Sequence, residues 1–512
     1  MNRSARVFGG VGLGQAHLVL VTLVGLWLTP VLLARVGQHQ YGLWLVGLQL
    51  LGYLYLLDLG VIGLLPRETA YASGRVLTGE HPDVLADTVA RIRGVIRWQV
   101  PVVVLVTLAA WVLLPASWAE LRTPLRWVLL FFALTFPMRA YHAFLQGLQD
   151  LVFLGQVQLV AWGAGTAVLV GLVLNGAGLT ALAAGWLVTQ GITVGACWWR
   201  IHDRHRHAWA PRAPAVAWTD ARAFFGRSIW ISMAQVAQTL LAGSDVLLVG
   251  ALIGPAAAVP YACTAKLIQV LANHPQMLMQ AAAPALSEMR MSERRERLAT
   301  TTSALTRAML VLSGAIACVV VAGNRDFVGW WVGPAQYAGV PLTLVLVAAM
   351  LARHVNTTTV YAVFCFGHER RLSITAVADG FVTVVTALVL VPHYGLLGVA
   401  IASLVGVVTV SFVPNLRLLA REIGVRSYTP LVELRGWFVR FLFCATASAA
   451  LAAIPLGHGL PQLVMRAGGA AVVYTLVMVP FALTGTLGLY VRRVLPQPLQ
   501  AWGARLHRAD AA

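Results

Sequence analysis

Charge is scarce in this 512-residue chain. Asp, Glu, Lys and Arg together make up 11% of it, far below the quarter found in soluble domains. Acidic residues are the scarcest, 19 against 37 basic ones, which leaves a formal net charge of +18. Lysine is scarcer still: Lys266, in "PYACTAKLIQVL", is the single one, and every other basic side chain is arginine. An ATPase loop of the form Gly-x-x-x-x-Gly-Lys-Ser/Thr needs a lysine to reach the nucleotide phosphates. Lys266 lies between Ala265 and Leu267, so the chain carries no such loop. Cysteine is sparse too. Cys197, Cys263, Cys318, Cys365 and Cys444 show no C-x-x-C spacing and read as packing residues, with neither a metal nor a cofactor implied.

What is present in excess is apolar surface: 59% of the residues are hydrophobic, and the mean hydropathy is +0.77. That composition defines a polytopic membrane protein. Stretches of about 20 residues, long enough to cross a ~30 Å hydrocarbon core, recur along the whole chain. Fourteen are expected, at 9–34, 41–65, 96–115, 126–148, 153–174, 178–199, 227–252, 258–283, 304–322, 339–366, 372–391, 396–418, 437–455 and 462–490. Their length favours helices over barrel strands, which need only about ten alternating residues. The expected fold is all-α.

Orientation follows from the arginines, since basic residues concentrate in cytoplasmic loops. With the N-terminus inside, 29 basic residues fall on the inner side and five on the outer side, namely Arg35, Arg122, Arg126, Arg325 and Arg466. The basic balance therefore expresses topology and implies no nucleic-acid partner. Both termini are expected in the cytoplasm, with the first helix retained rather than cleaved as a signal peptide, because it is long and lacks a small-x-small site.

Four segments repeat at an offset near 217. Gly37 faces Gly254, each followed by a tyrosine, Tyr41 and Tyr261. Pro66 faces Pro284, Gly147 faces Gly367 and Gly178 faces Gly395. A duplication of six helices is the reading. An even number per repeat makes the two lobes parallel, the arrangement that lets bundles rock around a central site. The expected organisation is an N-terminal lobe at 1–199, a basic cytoplasmic linker at 200–226, a second lobe at 227–418, two additional helices within 437–490 and a tail at 491–512.

Three stretches carry a family resemblance. "LTPVLLARVGQHQYGLWLVGLQLLGYLYLLDLGV", "SDVLLVGALIGPAAAVPYACTAKL" and "LVLVPHYGLLGVAIASLV" resemble the first and second, seventh and eighth, and eleventh and twelfth helices of the polysaccharide flippases. These are members of the multidrug/oligosaccharidyl-lipid/polysaccharide exporter superfamily, and the resemblance covers roughly residues 7–420. It implies a bacterial inner-membrane protein that moves an undecaprenyl-diphosphate-linked oligosaccharide, of the O-antigen type, from the inner to the outer leaflet. Other polysaccharide-assembly membrane proteins would then be its neighbours. Within the superfamily the alternatives are a lipid II flippase and a drug or ion antiporter. A membrane enzyme of the same pathway is disfavoured, because the longest outer connection, "GNRDFVGWWVGPAQYAG", offers one Arg325–Asp326 pair and little room for a catalytic surface.

Charges inside the spans are costly, at ~2.5–3.5 kcal/mol each on insertion scales, and are therefore informative. They are Asp58, Arg139, Asp245, Lys266, Arg353 and Asp379. Lys266, Arg139 and Arg353 are candidates to line a central cavity and receive a diphosphate by charge-assisted bonds. Asp245 and Lys266 lie at matching depth, roughly 13 Å below the outer surface, so a structural pair between them is the competing reading. Pro137 should interrupt the helix beside Arg139, and His354 should point away from its neighbour Arg353. Asp58, Asp245 and Asp379 are candidates for ion coupling, for helix-end contacts or for packing. The histidines of "RIHDRHRHAWAPR" stand among arginines that repel a metal, and the linker carrying them is expected to lie against anionic headgroups.

The charge split is directly testable. In a cysteine-free background, Ala210→Cys and Arg505→Cys should label only from the cytoplasmic side, and Ala335→Cys only from outside. Labelling of position 210 from the outer face would break the two-repeat scheme.

Overall fold

The computed structural model describes residues 3–77, 83–206, 217–292, 295–425, 434–455, 459–484 and 486–488, with positions 81, 209 and 457 between them. Linker residues 210–216 and tail residues 489–512 lie outside the described residues, as do the linker's His207 and Ala208. The helices are α1 (Arg3–Val36), α2 (Gln38–Leu54), α3 (Val61–Leu77), α4 (Asp83–Val112), α5 (Arg122–Thr135), α6 (Arg139–Gly147), α7 (Leu151–Leu174) and α8 (Leu179–Arg204). They continue with α9 (Trp218–Leu252), α10 (Pro255–Ser292), α11 (Arg295–Trp331), α12 (Val340–Cys365), α13 (Glu369–Tyr394), α14 (Leu396–Gly406), α15 (Val413–Ile423), α16 (Arg435–Ala453) and α17 (Leu460–Leu483). No strand occurs among the described residues.

Twelve helical segments among the described residues are long and apolar enough to cross a membrane, and each coincides with an expected span. The two remaining expected spans fall on α9 and α10, of 35 and 38 residues. Large apolar side chains lie open on the outside of the bundle, Leu105, Leu113, Leu134, Val160, Phe381 and Leu476 among them. Such a surface is stable against lipid and would aggregate in water.

The chain forms two compact units, one of residues 1–239 with 254–258 and the other of 240–253 with 259–512. The boundary falls inside α9 rather than ahead of it. The first turns of α9 pack in unit 1, where Trp218 meets Trp98 and a Cβ at Gly60 would meet Ser228 and Ser232.

The repeat is visible in backbone angles. Gly178 stands at φ 56°, ψ −136° before α8, and Gly395 at φ 54°, ψ −132° before α14. Left-handed φ values of this kind favour glycine, and the same turn is made twice. One expected correspondence shifts by two residues. Gly367 (φ 83°) has its counterpart in Gln149 (φ 60°), since each follows the end of a helix in the left-handed region. The local offset is then 218, in line with the others, and Gly147 corresponds to Cys365, the last residue of α12.

Two expected continuous spans are interrupted. The span predicted at 41–65 breaks after α2 into a 3₁₀ turn, Tyr55–Asp58, then Leu59 (φ 46°) and Gly60 (φ 71°), before α3 begins. The span predicted at 126–148 breaks at Phe136–Met138, a 3₁₀ turn built on Pro137, which cannot donate a helical hydrogen bond.

In unit 2, α16 and α17 pack on α11 through Leu310, Cys318, Trp437, Cys444, Tyr474, Met478 and Phe481. Two polar contacts fix them. Tyr474 Oη donates to Val311 O at 2.8 Å, and Arg466 Nη1 donates to Asp326 Oδ2 at 2.5 Å, with both charged residues buried. Asp326 is therefore not the loop partner of Arg325. The helix runs on to Trp331 and turns this carboxylate towards α17, shortening the connection between α11 and α12 to residues 332–339.

Gly314 leaves the space that Tyr474 fills, since a Cβ there would stand 2.3 Å from the tyrosine oxygen. Gly314→Ala should destabilise the purified protein by about 1–3 kcal/mol, as overpacking does. Reversible denaturation in detergent measures it, and Gly314→Ala with Tyr474→Phe should recover part of the loss.

Candidate functional site

The interruptions in unit 1 face each other. Asp58 ends the 3₁₀ turn after α2, and its Oδ1 accepts from Gly60 N at 2.9 Å, replacing the helical acceptor that the break removes. Gln99 of α4 donates to the freed Asp58 carbonyl at 2.6 Å. Arg139 starts α6 immediately after the Pro137 turn and donates to Asp58 Oδ2 at 3.3 Å. Its guanidinium also lies over the rings of Tyr55 (4.6 Å) and Phe136 (5.6 Å). Aromatic faces of this kind attract a cation, the more so where it is partly desolvated. Irregular backbone at membrane depth is tolerated where it is buried in protein or lines a cavity, and here it does both.

The cavity measures about 580 Å³. By the ≈30 Å³ share of a liquid water it holds roughly twenty molecules. Asp58 and Arg139 form one end. Arg67 of α3 stands two turns of helix from the break, paired with Glu68 at 3.3 Å. Between them run His142 and Gln146 of α6 and Gln190 and Thr193 of α8. Of these, sequence reasoning found Asp58 and Arg139, because it looked for charge. The neutral residues escaped it, although Arg139, His142, Ala143 and Gln146 follow the i, i+3, i+4, i+7 spacing of one helix face.

The charges of unit 2 form a second network. Arg353 of α12 donates to Ser403 Oγ of α14 at 2.8 Å and lies 3.9 Å from Asp379 of α13. Asp379 is buried and accepts from Ser411 Oγ at 2.6 Å and Thr383 Oγ1 at 3.4 Å. Ser411 belongs to a six-residue π-helical segment, Val407–Phe412, between α14 and α15. Its neighbour on α12, His354, turns to α11, with Nδ1 2.6 Å from Ser313 Oγ. The adjacent pair thus points to different neighbours.

Asp245 and Lys266 do not pair. The tyrosine Tyr261, on the same helix as Lys266, donates to Asp245 Oδ2 at 2.6 Å. Azimuth decides the contact. Positions 261 and 266 differ by five residues, about 140° around the helix, so when one faces Asp245 the other faces away. Lys266 is half-buried, and among the described residues no carboxylate stands within ion-pair distance of it.

The linker histidines hold no metal site among the described residues. His202 lies on Trp198 with ring centres 4.5 Å apart, and His205 meets Phe144 edge-on. Four residues on, Trp209 is buried against Tyr141, Phe144 and the guanidinium of Arg93. Burial and the adjacent Arg200 and Arg204 push the His205 pKa down against the opposing pull of Asp150, so the ring packs as a neutral one.

Fold and cavity together define a multi-pass helical membrane protein with interrupted helices and a partly neutralised cation inside the bundle. Residues 95–325 match the family model described as "Polysaccharide biosynthesis protein". The structure titled "Lipid II flippase MurJ, inward closed conformation" has the same fold, with a TM-score of 0.68 and 9% sequence identity over 91% of this chain and 98% of that one. No curated protein matches the chain in sequence. The resemblance read from the helices agrees with the family model over residues 95–325 and with the fold shared with that structure.

The Asp245 contact gives a test. Tyr261→Phe leaves a buried carboxylate oxygen without its donor and should cost about 1–3 kcal/mol of stability. Lys266→Gln should leave the melting temperature in detergent within error of the parent.

Proposed function

We propose that this protein is a flippase that carries an undecaprenyl-diphosphate-linked oligosaccharide from the inner to the outer leaflet of the bacterial inner membrane by alternating access. The observation that carries the reading is Arg139 in the unit 1 cavity, a guanidinium with one carboxylate partner and further donors to spare. A diphosphate competes with Asp58 for that guanidinium, and charge-assisted bonds in a desolvated cavity are the strong kind. Lys266, with no carboxylate partner among the described residues, is the second candidate phosphate ligand, and Arg353 the third. Asp58 and Asp379, each beside an arginine, are the candidates for ion coupling. Asp245, bound to Tyr261, is the weaker one. The match to polysaccharide biosynthesis proteins and the fold shared with a lipid II flippase support transport of a lipid-linked glycan. The absence of a Walker lysine from the sequence leaves an ion gradient, the membrane potential or substrate mass action as the drive. Anionic lipids are the proposed partners of the basic linker, and other polysaccharide-assembly membrane proteins its proposed neighbours.

A second reading, transport of lipid II, is favoured by the fold match over nine-tenths of the chain. Proteoliposomes separate the two. Fluorescent oligosaccharide carrier and fluorescent lipid II are loaded in turn, and the fraction moved across the bilayer is read by quenching from one side. We expect movement of the oligosaccharide carrier without nucleotide, and a loss of about tenfold or more in Arg139→Ala, the worth of one charge-assisted bond. Lys266→Ala should lose activity, and Lys266→Arg should retain part of it because the charge survives. Movement of lipid II alone replaces the first reading by the second. Movement of neither overturns both.

A further inference from the structure

The cavity offers more than a phosphate can use. Opposite the α6 face, α8 presents Gln190, Thr193, Val194 and Cys197 at the same i, i+3, i+4, i+7 spacing, so two helices show matched stripes to one space. Among the described residues, neither the Gln146 nor the Gln190 amide bonds any other protein group. The Thr193 hydroxyl donates to Thr189 O at 2.8 Å, which leaves it only lone pairs to offer. Each amide carries a carbonyl acceptor as well as two donors, whichever way it is turned.

A diphosphate is an acceptor and meets the donors, Arg139 above all. It leaves the acceptors of Gln146, Gln190 and Thr193 to the water of the cavity, and a ligand that displaces that water without donors of its own loses those hydrogen bonds. A sugar supplies what is missing, because hydroxyl and acetamido groups donate as well as accept. Metal ions do not fit this lining: its carboxylate is already paired with Arg139, and no three-ligand cluster lies among the described residues. An apolar drug leaves the whole stripe unsatisfied.

We infer that Gln146, Gln190 and Thr193 form a glycan-reading wall that binds the sugar nearest the diphosphate while Arg139 holds the phosphate. This rests on the flippase reading and assigns the specificity within it to neutral side chains on α6 and α8. The protein then prefers a glycosylated carrier over a bare one through hydrogen bonds rather than charge.

Binding to full-length protein in nanodiscs tests this with two probes, undecaprenyl diphosphate and its mono-N-acetylhexosaminyl derivative. In the parent the glycosylated probe should bind at least about tenfold more tightly, the worth of one or two satisfied hydrogen bonds. Gln190→Leu, nearly isosteric, should bring the ratio of the two affinities to within about twofold, and Thr193→Val should lower it independently. Both variants are checked for a single monodisperse peak before titration. Arg139→Ala should weaken both probes alike and keep the ratio. A parent that binds both probes equally, or a Gln190→Leu variant with the ratio intact, overturns the wall and leaves the flippase reading standing. Failure of the parent to bind either probe overturns the flippase reading itself. Equal competition by phosphatidylethanolamine, which also joins a phosphate to a donor, overturns the assignment to sugar.

Discussion

The contact on which unit 1 depends is the one between Asp58 and Arg139. Each is a charge of the kind that membrane helices carry only at a cost, and that cost is offset by pairing. Each stands at an interruption, one made by Leu59 and Gly60 in the left-handed region, the other by Pro137, and the interruptions meet. The helical hydrogen bonds lost at the first break are made good by side chains, Asp58 to Gly60 N and Gln99 to Asp58 O. The same carboxylate thus closes the broken backbone and neutralises the arginine. Removing it would leave a cation and an amide unsatisfied together, which is why the break, the pair and the cavity form one structural unit.

The positions that recur along the chain are those of the frame and not of the chemistry. Turns recur with nearly the same angles, as at Gly178 and Gly395, and the offset holds at 217 or 218 once Gln149 is matched to Gly367. The charges do not recur. Arg139 in unit 1 has a threonine at its equivalent position, Thr357, and Asp379 has an alanine, Ala161. Each unit pairs an arginine with an aspartate, but between different helices: α2 with α6 in the first, α12 with α13 in the second. Packing constraints act on both copies alike, whereas a charged site is needed only where a ligand or a moving contact uses it.

The sequence showed the fold well because membrane length is a one-dimensional signal. About twenty apolar residues must appear wherever the chain crosses, and glycine marks the turns between. It showed the charged half of the site for a related reason, since ionised residues are conspicuous against an apolar background. What it hid was direction. Depth along a helix is legible from residue counting, but Asp245 chose Tyr261 over Lys266 through azimuth, and azimuth on a helix that is apolar all round leaves no pattern to read. Gln149 hid a glycine-like turn because its side chain gives no hint of φ 60°. Asp326 hid its partner because Arg466 lies 140 residues away.

The neutral cavity residues are written in the sequence only as a few polar positions on otherwise apolar helices. An amide in a membrane segment is less costly than a charge and attracts less notice, yet it demands a partner all the same. Gln190 stands in α8 among residues that pack or face lipid, with no group among the described residues bonded to its side chain. Selection for insertion alone would favour leucine at such a position. Gln99 of α4 differs from Gln190, being buried and committed to Asp58 O: one glutamine holds the fold, and the other presents its amide to the cavity.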